Sequence, residues 1–159
     1  IVDIACGTAY GSKIFLNTEF NIIAADLDEI QIEQNIINLS NYANISFRVE
    51  DILNMSFESN SIDIVLTMET IEHVDPHDML KECARVLKQD GYIILSTPQN
   101  SMKDKCINPH HLYEYSLDEL TALVNQYFVI EKVIGLKAGR IYFDNDPIGA
   151  NSVIFAKKI

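Results

Sequence analysis

The chain has 159 residues, enough for one domain with a substantial core. Apolar residues make up 48% and charged residues 22%, which excludes a disordered polyampholyte. With 12 Lys+Arg against 23 Asp+Glu, the net charge is −11 and no basic block appears, so nucleic acid is not the expected partner of this domain alone. No apolar run reaches membrane-spanning length, and no signal peptide is visible. Cys6, Cys83 and Cys106 are odd in number and widely spaced, as for free thiols in the reducing cytoplasm. Residues 1–159 read as a single domain that opens in mid-strand and lacks an N-terminal lid.

Apolar, β-rich runs alternate with helix-like segments along the chain. Residues 1–5 predict a strand, followed by a turn of small residues and a short helix over 12–16. A second strand is expected over 21–25, a helix over 29–39 and a third strand over 45–49. Residues 62–67 form a fourth apolar run, suited to burial on both faces. Met79, Leu80, Cys83, Val86 and Leu87 recur at helical spacing over 76–87, before the turn signal Gln89-Asp90-Gly91. A fifth strand over 92–96 closes at Thr97-Pro98. Ser116 and Glu119 make a capping box for a helix running to about Asn125. Residues 127–136 and 152–157 predict two last strands, joined by a turn-rich connection with Gly139, Pro147 and Gly149. Repeated β–α units imply a mainly parallel sheet with helices on both faces. The last pair joins without a helix, so one of the two runs antiparallel. Sheets of this kind bind ligands beyond the carboxyl ends of their strands, so those ends hold the candidates.

After the first strand, Ala5, Gly7 and Ala9 fill the slots of a G-x-G-x-G pattern, only one of them with glycine. Spacing alone leaves a nucleotide cradle and an ordinary β–α connection equally open. After the second strand, Asp26 stands where an acid meets ribose hydroxyls; the alternative is a helix cap, a role Asp28 could fill instead. After the third come Asp51, able to accept from an exocyclic amine, and Ile52, able to cover a flat ring. A solvated loop acid is the other reading of Asp51. After the fourth strand runs Met68-Glu69-Thr70-Ile71-Glu72-His73. Glu69, Glu72 and His73 would share one face of a helical turn. His111, in the connection leaving the fifth strand, lies on the same rim and could join them as a fourth ligand. His77 and His110 read as surface residues.

Taken together, these motifs resemble those of class I S-adenosylmethionine-dependent methyltransferases. Residues 3–12 are similar to a first motif of the form D-x-A-C-G-T-G-x-G-S, Asp26 to the family's ribose acid, and Asp51-Ile52 to its adenine pair. Residues 61–66 look like its fourth-strand motif, and residues 84–91 its R-V-L-K-P-G-G turn, with Gln89 and Asp90 departing from it. The resemblance implies a Rossmann-like α/β fold with a seven-stranded sheet in order 3-2-1-4-5-7-6, the last strand antiparallel. It also implies that Asp3, Cys6 and Gly7 line the methionine end of S-adenosylmethionine, within a cofactor set completed by Ala5, Asp26, Leu27, Asp51, Ile52 and Met68. Ala9 replaces the usual glycine, which would weaken binding if that position needs positive φ.

The Glu69-x-x-Glu72-His73 run with His111 also resembles two subfamilies, the ubiquinone-biosynthesis O-methyltransferases and the small-RNA 3′-terminal 2′-O-methyltransferases, which use such residues for metal. The expected ligands are Glu69, Glu72, His73 and His111, for Mg²⁺ or Mn²⁺. The alternative for the pair Glu72-His73 is a helix start that fixes a loop. The implied reaction is O-methylation of a hydroxyl with a neighbouring oxygen, on a sugar or glycan, a catechol or a ribose. Its catalytic residues are His111, His73 and Glu69. Two rivals stay open: a metal-independent small-molecule methyltransferase with His111 or His73 as base, and an inactive cofactor-binding partner subunit.

Overall fold

A computed structural model describes residues 1–100, 106, 108–137 and 141–159, so Gly139 of the last connection lies outside the described residues. The strands are β1 (Val2–Ile4), β2 (Ile22–Asp26), β3 (Ile45–Val49), β4 (Ile62–Met68), β5 (Leu87–Pro98), β6 (Phe128–Leu136) and β7 (Asn151–Lys158). The α-helices are α1 (Glu29–Leu39), α2 (Pro76–Val86) and α3 (Leu117–Val124), with two short 3-10 turns at Ser12–Phe15 and Ile71–His73. The seven strands form one sheet in the order β3-β2-β1-β4-β5-β7-β6. Pairing is parallel from β3 through β5, and β7 runs antiparallel to both β5 and β6. This is the Rossmann-like architecture that the motifs imply. Among the described residues no helix is long and apolar enough to cross a membrane.

Helix starts are chemically explicit. Asp28 accepts from the backbone N–H groups of Ile30 and Gln31 to cap α1, and Asp75 accepts from those of His77 and Asp78 to cap α2, ahead of Pro76. The Ser116–Glu119 capping box on α3 is complete in both directions. On one face of the sheet, Val2, Ile4, Val65, Ile93 and Leu95 pack with Met79, Leu80, Cys83 and Val86 of α2 and with Leu120 and Val124 of α3. A second cluster joins Ala24, Ile32 and Leu39 to Cys6 and Ala9. Ala24 and Ala25 are adjacent in β2 but belong to different clusters, as the alternation of side chains along a strand requires.

One departure from expectation has a physical cause. Gln89-Asp90-Gly91 does not end an element, because β5 runs unbroken from Leu87 to Pro98. The extra residues form an irregularity where pairing with β4 jumps from Ile62↔Leu87 to Ile64↔Tyr92, with Asp90 at φ 64°. The 147–150 end of the last connection lies on β6 at very short range. A Cβ on Gly135 would lie 2.4 Å from the carbonyl of Ile148, and one on Gly149 2.4 Å from that of Leu136. Only glycine admits that approach, which delivers Asn151 to the start of β7 beside the end of β5.

Candidate active site

The turn after β1 is built on backbone conformation. Ala5, Gly7 and Ala9 have φ of 57°, 49° and 55°, so all three pattern slots occupy the left-handed region whether or not they hold glycine. A left-handed residue at every second position is the arrangement that curls N–H groups around a concave nest. A Cβ on Gly7 would meet nothing within 4 Å, so that side of the turn faces open space.

Three side chains hold the turn. Asp26 Oδ2 accepts from Gly7 N at 2.8 Å, while its Oδ1 accepts from Asp28 N at 3.0 Å. With α1 capped by Asp28, Asp26 is left to orient the turn. Asp3, only 2% exposed, accepts at Oδ2 from both Ser12 N (2.8 Å) and Ser12 Oγ (2.7 Å). Burial pushes its carboxyl above the usual range, an effect opposed by those two bonds and reinforced by the charge of Asp26. Asn35 of α1 donates to Gly7 O at 2.7 Å and accepts from Gln31 Nε2. Asn35 escaped the reading of the sequence. Its signal was a polar residue on the apolar face of Ile32 and Leu39, where it is 2% exposed. Burial first, then the charges of Asp3 and Asp26, push the Cys6 thiol up to about 12.

The remaining cofactor candidates follow β2, β3 and β4. Leu27 is exposed and free to flank a ligand. Asp51 is exposed and accepts from Leu53 N at 2.9 Å. Ile52 is buried among Met55, Phe57 and the main core. Met68 sits half-buried at the carboxyl end of β4.

Beyond Met68 the expected four-residue cluster divides. Glu69 has φ 55°, and only Ile71–His73 make a 3-10 turn, so Glu69 does not share a helical face with Glu72 and His73. Its side chain instead accepts from Ser96 Oγ on β5 and, at 2.7 Å, from Asn151 Nδ2 on β7. Partial burial raises its carboxyl above the usual range, against the Ser96 bond.

The other three residues converge. One potential ligand atom each from Glu72, His73 and His111 lies within 4.8 Å of the others. Glu72 is 1% exposed, and its Oε2 accepts from Thr97 Oγ1 at 2.8 Å. Its Oε1 is buried with no hydrogen-bond partner among the described residues. The backbone carbonyl of Glu72 accepts from Leu112 N at 2.8 Å and so fastens the 108–116 segment over the end of β4. His73 and His111 meet edge to face, with ring centroids 4.8 Å apart. His73 Nδ1 lies 3.2 Å from His110 O, and His111 Nδ1 lies 2.7 Å from Glu114 Oε1. The carbonyl and the carboxylate are acceptors, so Nδ1 of each ring is the nitrogen that carries the hydrogen between them. His110 and His77 are exposed, as expected, with His77 Nδ1 2.9 Å from Tyr127 OH.

A cradle after β1, an acid after β2 and this cluster after β4 lie along one sheet edge. The profile of a family described as methyltransferase domain matches residues 2–95. The chain belongs to that family. It is 30% identical over 163 residues to a protein of Mycobacterium tuberculosis named a probable S-adenosylmethionine-dependent methyltransferase, covering 99% of this chain and 58% of that protein. A ubiquinone biosynthesis O-methyltransferase of Coxiella burnetii is 28% identical over 106 residues, 65% of this chain and 45% of its own length. The methyltransferase domain thus spans less than two thirds of these relatives. Its backbone also matches a Haloferax volcanii methyltransferase solved in complex with a methyltransferase activator, with a TM-score of 0.80 over 99% of this chain and 81% of that one. At 18% identity that match speaks for the fold alone.

Proposed function

We propose that the domain transfers the methyl group of S-adenosylmethionine to an oxygen flanked by a second oxygen, as in a sugar or glycan, a catechol or a ribose. The observation that carries this reading is the Glu72 carboxylate, which keeps one buried oxygen, Oε1, without a partner among the described residues and converges with two imidazoles. Leaving such an atom unpaired costs about 1–3 kcal/mol, a cost expected where something binds. The relative named as a ubiquinone biosynthesis O-methyltransferase gives the oxygen acceptor further support.

S-adenosylmethionine supplies, when bound, a methyl group on a positively charged sulfur. The chain's own task is to hold that cofactor, to aim the acceptor oxygen along the line of displacement and to take its proton. Asp26 suits a vicinal ribose diol, since each oxygen keeps accepting capacity beyond its one backbone bond. Asp51, at the next strand end, suits the exocyclic amine of adenine. Glu72, His73 and His111 would hold a divalent ion such as Mn²⁺ or Mg²⁺, which would supply Lewis acidity toward the acceptor's oxygens. The donor set suits such an ion: a carboxylate with one unpartnered oxygen and two imidazoles, one atom of each residue within 4.8 Å of the others. Glu69 is bonded instead to Ser96 of β5 and Asn151 of β7, near enough to feel the charges of Glu72 and His111. A second reading keeps His111 Nε2 as general base without metal, favoured by the buried Glu114 behind Nδ1.

The test is methyl transfer to a catechol, a sugar and a ribonucleoside, with and without chelator, in the parent and in His111→Ala. Loss with chelator that Mn²⁺ restores supports the metal reading. Turnover untouched by chelator removes it and leaves His111 as base. Full activity in His111→Ala would remove both roles. Calorimetric titration with S-adenosylhomocysteine beside these turnover assays tests the inactive cofactor-binding subunit, which would bind the product and transfer no methyl group to any acceptor.

A further inference from the structure

We propose that Glu114 is a positioning residue, which holds His111 as the Nδ1–H tautomer so that Nε2 is the accepting nitrogen of the site. The proposal rests on the reading of Glu72, His73 and His111 as the working cluster.

The geometry leads to this tautomer by two routes. The side chains of His111 and Glu114 are 9% and 2% exposed, and Glu114 Oε1 lies 2.7 Å from His111 Nδ1. Both oxygens of Glu114 accept from N–H groups elsewhere, Oε1 from Asn108 N and Oε2 from Asn100 Nδ2, so the carboxyl acts as acceptor and the hydrogen between it and His111 belongs to Nδ1. The second route does not involve Glu114. Asn108 Oδ1 accepts from His110 N at 3.0 Å, which fixes which end of that amide is oxygen. Its NH₂ end then faces His111 Nε2 at 3.0 Å, and an amide N–H so placed needs a lone pair on Nε2. Both neighbours demand the same state.

Glu114 is itself immobilised by donors. Asn108 N donates to its Oε1 at 2.9 Å, and Asn100 Nδ2 to its Oε2 at 3.3 Å. A buried carboxylate that receives backbone and side-chain N–H groups and points at one imidazole nitrogen is the arrangement that orients histidines used as ligands or bases. The amide of Asn108 on Nε2 is neutral and replaceable, so an acceptor hydroxyl or a cation can take its place without turning the ring. A glutamate that merely clipped the 108–114 loop together would not need to choose a ring nitrogen.

The experiment is long-range ¹H–¹⁵N correlation of the histidine side chains in labelled protein without added metal, paired with titration of Mn²⁺ alone. In the parent, His111 is expected to show a protonated Nδ1 and a bare Nε2. Glu114→Ala, which also releases Asn108 because its backbone N–H is held by Glu114 Oε1, moves the proton to Nε2 or gives a mixture, and weakens Mn²⁺ binding by about 10–100-fold. Glu114→Gln, which keeps an acceptor oxygen and the shape, retains Nδ1–H and binds Mn²⁺ close to the parent. A parent proton on Nε2, or an unchanged tautomer in folded Glu114→Ala, overturns the proposal. If Glu114→Ala does not fold, the parent and Glu114→Gln spectra decide. If the parent shows the expected tautomer but no Mn²⁺ binding, the positioning role stands and the metal reading falls.

Discussion

Ala5 and Ala9 hold backbone conformations that glycine adopts at no steric cost. An L-residue in the left-handed region costs roughly 1–2 kcal/mol, so the turn carries strain at both positions. For Ala9→Gly, relief of that strain is offset by about 0.8 kcal/mol for the buried methyl and about 0.5–1 kcal/mol for glycine's freedom in the unfolded chain. Stability is therefore expected to stay within about 1 kcal/mol of the parent, whereas Ala9→Val, branched and buried, should lose about 2–3 kcal/mol; urea unfolding checks both. Asp26→Asn removes a charged acceptor from Gly7 N and from the proposed ribose site. S-adenosylhomocysteine affinity should fall roughly 10–100-fold by calorimetry. Asp3 makes a pH prediction. Its folded-state pKa is raised, so folding takes up a proton in the window just above the ordinary aspartate value. The parent should thus gain stability relative to Asp3→Asn as pH falls through that window, and lose it as pH rises; urea titrations at a series of pH values test the sign.

At the scale of elements, the packing of the last connection on β6 is the least tolerant feature. Gly149→Ala would force a Cβ against the Leu136 backbone, and should cost about 3 kcal/mol in urea unfolding. The element order, strand ends and helix caps were legible because they are local matters of period and capping: the Ser116–Glu119 box needed three residues of context. The turn at Gln89-Asp90-Gly91 was misread because its turn residues serve a register jump between β4 and β5, and pairing register is not written in either strand alone. Glu69 failed for a related reason. The i, i+3, i+4 argument assumed a helix, whereas the left-handed residue at the strand end and the far-off Asn151 decide where its carboxylate goes. Asn35 was missed, as was the pairing of Glu114 with His111, because a buried polar side chain announces its partner only after folding.

For the molecule as a whole, thiol chemistry reports the integrity of the sheet. Burial pushes Cys6 and Cys83 up to about 12, so neither should be alkylated at pH 8 in the native protein; both should react once urea unfolds it, as peptide mapping would show. The two halves of the site are also secured over very different lengths of chain. The cradle closes through Asp3–Ser12, Gly7–Asp26 and Gly7–Asn35, all within the first third of the sequence. The cluster beyond β4 depends on Glu72 meeting Leu112, Gln99 meeting Ser152 and Glu69 meeting Asn151, partners brought from distant segments. Bonds of the second kind break together when the 108–116 or 147–151 segment lifts, while those of the first kind need only β1, β2 and α1. In mild urea, hydrogen exchange should therefore release the amides of Leu112 and Gly149 well before those of Gly7 and Ser12. The domain would then pass through a state in which the turn after β1 is still closed while the cluster beyond β4 has come undone.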